Sequence, residues 1–194
     1  MNQKPLSEKS RILEANFFRE RDQELLAYLR SQAEESNLRS QLSEISGIVE
    51  TEILDTLIQA GITAESLSAF SLLPMVRVAW ADAKVQGNER EAILQSAHAE
   101  GVTEGSTSYR LLESWLSERP GPALLEAWWE YVSGLAKELD EKSLAAMRQA
   151  TLDRARRVAE ASGGLLGFGN RVSNDEELVL ADLARAFEKP LDLK

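Results

Sequence analysis

Three groups of residues in this chain are of types that do chemistry. Asp82 and Glu89 stand seven positions apart, on either side of AlaLysValGlnGlyAsn. Two carboxylates that face each other across a turn are the beginning of a divalent-cation site. Calcium, however, takes roughly six to eight oxygens, and magnesium a near-octahedral set completed by water. An EF-hand loop begun at Asp82 would put Gly87 correctly at its sixth place, but Lys84 would fill a ligand place and Ile93 the place of the bidentate Glu. The simpler reading is that Asp82 ends one helix while Glu89 balances the dipole at the start of the next. The second group is AlaSerGlyGlyLeuLeuGlyPheGlyAsnArgValSerAsnAspGluGlu, residues 161–177, with glycines before an acidic helix start. A phosphate cradle needs convergent N–H groups, usually an incoming strand and, in the Walker pattern, a Gly-Lys-Ser/Thr ending. Here a helix leads in, Asn170, Arg171 and Val172 follow Gly169, and Asp175, Glu176 and Glu177 oppose an approaching anion. The third is His98, the sole histidine. It excludes His-rich zinc sites and Glu-x-x-His di-iron pairs, and a catalytic base there would need an orienting carboxylate.

The elements that must position these residues are helices. Apolar residues recur at helical spacing throughout, and no stretch alternates for long enough to argue a strand, so the fold expected is all-α. From about Ser7 to Glu35, Phe18, Leu25, Leu29 and Ala33 form a narrow stripe, which predicts a long amphipathic N-terminal helix. Ile53, Leu57 and Ile58 mark a second helix that stops at Gly61. LeuLeuProMetValArgValAlaTrp, residues 72–80, predicts a central core helix with Pro74 in its first turn and Trp80 in the core. Asn88 with Glu91 reads as a capping box, and Gly101 with Val102 folding back on Ala97 as a Schellman ending. A helix then runs to the break at Pro120, Gly121 and Pro122, and three more follow, the last opened by a Ser173–Glu176 capping box. Trp115 is placed to fill the gap before the break, and the adjacent Trp128 and Trp129 point about 100° apart, so that one is left partly exposed.

The chain repeats itself. ValAlaTrpAlaAsp at 78–82 returns as ValAlaGluAlaSer at 158–162, and LysValGlnGlyAsnGlu at 84–89 returns as ArgValSerAsnAspGlu at 171–176. Glu176 is thereby the counterpart of Glu89. The glycine stretch is an enlarged version of the turn at 82–87, which makes it an interhelix loop. These hairpin turns resemble the TerB-like family, named for bacterial tellurite-resistance proteins, over about residues 70–188. The resemblance implies an all-helical domain with an internal pseudo-repeat, cytosolic or at the inner membrane face, linked to stress responses and without established enzymatic activity. It also brings a metal-binding reading of Asp82, Glu89 and Glu176. Ala83 stands where the family usually has Gly, and Ser162 where the second copy would have Asp. The expected organisation is an N-terminal helical extension over 1–45 and a TerB-like domain over 46–194.

The composition narrows the function classes. Lys plus Arg number 22 against 32 Asp plus Glu, a formal charge of −10 over 194 residues, which repels nucleic acid. The absence of cysteine removes disulfides, thiolate nucleophiles and Cys-ligated zinc and suits the cytoplasm. No stretch has the length of a membrane span, though peripheral membrane association is compatible with the sequence. Arg148, Arg154, Arg156 and Arg157 read as a solvated face paired with acidic helices. No hydrolase or kinase signature is present. The expected function is a non-enzymatic helical interaction or scaffold module with no cofactor, acting on a protein partner or on a second copy through the N-terminal helix. The alternative is a regulatory module that takes a divalent cation (calcium, magnesium or manganese) on Asp82, Glu89 and Glu176.

Overall fold

A computed structural model of the chain describes residues 30, 32–162 and 172–188, and these are helices and turns with no strand among them. Helical backbone covers residues 32–46 (α1). It is followed by α2 (Thr51–Gln59), α3 (Leu67–Ser71), α4 (Leu73–Ala79), α5 (Gly87–Ala99), α6 (Thr107–Ser117), α7 (Pro122–Glu138), α8 (Glu141–Ser162) and α9 (Asn174–Arg185). The all-α expectation is met. The chain divides into two compact units, residues 1–40 and 41–194. In the first, Glu35 and Arg39 pair at 3.5 Å one turn apart. Of the expected N-terminal stripe, Phe18, Leu25 and Leu29 lie outside the described residues, as do the glycines of 163–169. Ala33 is helical and exposed.

In the second unit the helix ends follow from local chemistry. Gly61, at φ +78°, closes α2, and the Ile62 N–H donates to the Leu57 carbonyl at 2.9 Å. Gly101, at φ +83°, does the same for α5, with the Val102 N–H on the Ala97 carbonyl at 2.9 Å. Both are Schellman endings, in which a left-handed residue lets a donor beyond the helix reach an orphan carbonyl. Pro74 sits in the first turn of α4, where its missing N–H is no loss, and every α4 residue except Arg77 is buried. Pro122 opens α7 in the same way. Asp140 starts α8, accepting the Ser143 N–H at 2.7 Å and its hydroxyl at 3.1 Å. These bonds hold the Asp140 carboxyl below its ordinary value.

The core is built around α8, which packs most extensively on α4 and α5, while α9 rests on α4 and α8 and α2 lies on α7. Gly134 lets α2 and α7 come close, since a Cβ there would stand 2.5 Å from the Ile53 Cδ1. Trp128 is buried and Trp129 half-buried, their rings edge to face at 6.2 Å, as the 100° step between neighbours requires. Trp115 is buried as expected. Trp80 departs from expectation: it caps the end of α4 and is half-buried, its indole Nε1 donating to the Trp115 carbonyl at 2.8 Å. A buried indole N–H needs an acceptor, and the nearest lies at the edge of the core.

The repeat is visible in what each copy buries. Val78 and Val158, Ala79 and Ala159, and Glu89 and Glu176 are buried in both halves. The first turn carries a strained residue: Ala83, at φ +66°, is the one non-glycine in the left-handed region among the described residues. The Lys84 N–H donates to Asp82 Oδ1 at 3.2 Å across this turn. The left-handed conformation costs an L-residue with a Cβ about 1 kcal/mol or more. Ala83 is exposed, so its methyl group returns little by packing. Ala83→Gly is therefore expected to raise unfolding stability by about 0.5–1 kcal/mol in urea denaturation. A decrease would contradict this view of the turn.

Candidate functional site

The start of α5 corrects the sequence reading. The cap is Gln86, two residues before the expected Asn88, and the helix begins at Gly87. Asn88 stands in the first turn, its Nδ2 donating to the Ala161 carbonyl at 3.4 Å, and Glu91 is exposed, accepting from Gln95 at 3.1 Å. The register that wins puts Glu89, Ile93 and Ala97 on the buried face, one above another at four-residue spacing. Tertiary burial thus overrides the better intrinsic capping ability of Asn over Gln.

Glu89 then occupies the third helical position and reaches back, its Oε2 accepting the Gln86 N–H at 2.7 Å. In α9, Glu176 Oε2 accepts the Ser173 N–H at 2.5 Å, while the Glu176 N–H donates to Ser173 Oγ at 3.3 Å. This is the capping box expected at that end. Both carboxyl groups are buried, Glu89 being 1% and Glu176 4% exposed. Two neighbouring carboxylates repel when both are ionised, so the Glu89 carboxyl holds its proton more tightly. Burial is the largest influence on Glu89. The Gln86 N–H partly offsets it, and the charges of Glu176 and Asp82 add to it, pushing the carboxyl up to about 7.

Of the three acidic residues singled out from the sequence, the structure brings Glu89 and Glu176 together and leaves Asp82 exposed on the turn, acting on Glu89 through its charge. Among the described residues no three His, Asp or Glu side chains are grouped to hold a metal ion. Each buried Glu has one oxygen on a backbone N–H. Two carboxyl groups by themselves supply too few ligands for a calcium or magnesium shell, and burial leaves little access for water to complete one.

His98 is exposed near the end of α5, on the rim of an open cavity of about 480 Å³ that Glu91, Glu104 and Tyr109 also line. Among the described residues no carboxylate is hydrogen-bonded to it, so nothing orients it as a base. In the basic cluster, Arg154 pairs with Glu100, and Arg156 with Glu177 at 3.2 Å, as expected of a solvated face. Sequence reasoning passed over Arg77 and Arg119. The available signal was a guanidinium inside the otherwise apolar run LeuLeuProMetValArgValAlaTrp. Compared with known proteins, the chain matches no family model, no curated protein and no solved structure.

The carboxyl pair makes stability depend on pH. The folded chain holds the Glu89 proton to about pH 7, whereas the ordinary value is 4.5. Its contribution is fully present below pH 4.5 and is lost as the pH rises towards 7, on the order of 1–3 kcal/mol in all. Glu89→Gln keeps an acceptor for Gln86 and offers Glu176 a permanent donor. The variant is expected to lose the decline between pH 4.5 and 7 and to be at least as stable as the parent at pH 8, measured by urea denaturation across pH. A variant less stable than the parent at pH 8 would contradict a proton held on Glu89.

Proposed function

We propose that the chain is a non-enzymatic helical interaction module that engages a protein partner or a second copy of itself, of the TerB-like type that residues 70–188 resemble. The observation that carries this reading is at the end of α1. Leu42 and Ile48 are fully buried, while Ile45 and Val49 beside them are 60% and 68% exposed. On a chain of net charge −10, two large apolar side chains four residues apart and open to water are suited to being covered by another protein surface.

A stress-related role rests on the resemblance alone. No helix among the described residues is long and apolar enough to cross a membrane, and the proposed setting is the cytoplasm, with contact at a membrane surface compatible with it.

Self-association tests the reading directly. Light scattering coupled to gel filtration is expected to show a dimer that the double substitution Ile45→Glu, Val49→Glu converts to monomer without loss of helical circular dichroism. A variant that associates as the parent does would contradict the assignment of this surface. For the alternative, calorimetric titration with millimolar calcium, magnesium, manganese and zinc is expected to give no binding heat. A heat removed by Asp82→Asn or Glu89→Gln would restore a cation-responsive module.

A further inference from the structure

The end of α4 and the break before α7 enclose a cavity of about 360 Å³ whose wall is mostly apolar, formed by Leu73, Trp80, Pro120 and Leu125, with Arg77 and Arg119 at its edge. Its volume is that of a small-ligand site. The two guanidinium groups stand close enough that burial, and then the charge of Arg119, lower the pKa of Arg77, against a smaller opposing effect of Asp182. Asp182 is itself paired with Arg185 at 2.5 Å, and no ion pair among the described residues engages Arg77 or Arg119. This contrasts with Arg154 and Arg156 on α8, each matched by a glutamate. The N-terminal end of α7 also opens here: its cap, Gly121, contributes no side-chain hydrogen bond, so the positive end of a 17-residue helix adds to the same field. The Nε1 bond to Trp115 fixes the Trp80 indole as part of the wall.

Like charges left side by side in a protein with an excess of acid are a standing cost that an anion relieves. The apolar wall excludes a bare polyanion, which would leave that surface with nothing to cover it. The geometry points to a binding site for a small carboxylate with an apolar body of about eight carbons, its carboxylate on Arg77 and Arg119 and its chain against Trp80 and Leu125. Guanidinium is the side chain best matched to a carboxylate, which it can hold through two parallel hydrogen bonds. Neither Ile45 nor Val49 lines this cavity, so the inference stands apart from the proposed docking surface.

Nitrogen–proton NMR titration of the full chain tests it, following the Trp80 indole N–H. Octanoate is expected to shift that signal with sub-millimolar affinity. Acetate, which lacks the body, 1-octanol, which lacks the charge, and inorganic phosphate are expected to bind at least about tenfold more weakly. Arg119 is exposed, so Arg119→Gln should fold normally. That variant should weaken octanoate about tenfold and leave octanol unchanged, and Arg77→Gln is expected to do the same. Equal affinity for octanoate and octanol, phosphate binding as tightly as octanoate, or full octanoate affinity in Arg119→Gln would overturn the assignment.

Discussion

Two helices of this protein begin with a glutamate that turns back to cap its own first turn, and the fold buries both glutamates against each other. That contact constrains everything around it. A buried carboxylate needs donors for its oxygens, and each of these two accepts a backbone N–H from the start of its own helix. The register of α5 follows: Glu89 inward brings Ile93 and Ala97 inward with it. Val78 and Ala79 of α4 are repeated by Val158 and Ala159 of α8, all buried, and α8 packs on both α4 and α5. Removing one partner from such a contact leaves a buried polar group unsatisfied, which is why the pair fixes orientation more than it adds stability.

What the sequence made legible was the chemistry that stays within a turn. Gly61 and Gly101 adopt positive φ because each helix must stop with a donor folded back on an open carbonyl, and both were readable from their neighbours. Pro74 was likewise readable as a first-turn residue, whereas Pro122, read as part of a break, opens α7. Ser173 and Glu176 formed the box their spacing announced. Where a distant contact decided between two local options, local reasoning failed. Asn88 is the better cap by intrinsic preference, yet Gln86 holds that place in a helix that buries Ile93 and Ala97. Trp80 was drawn to the core edge by the Trp115 carbonyl, 35 positions away in sequence.

The candidate site was half legible for the same reason. The internal echo identified Glu176 as the counterpart of Glu89, but equivalence in a repeat does not say that two residues lie near each other, and the sequence offered no sign that Glu89 would hold its proton. Asp82 belonged to the same turn and stayed at its surface. Arg77 and Arg119 were missed because nothing local connects α4 to the segment before α7. What joins them is the packing that leaves a cavity between. Arg154 and Arg156 of α8 took acidic partners on other elements, and the two arginines at the cavity form no ion pair among the described residues.

Carbon-13 NMR titration of the glutamate side-chain carboxyl groups examines the buried pair without altering it. The expected result is a Glu89 carboxyl whose midpoint lies near 7. A Glu89 carboxyl that ionises near its ordinary value of 4.5 would show that the fold does not hold its proton and would contradict the central claim.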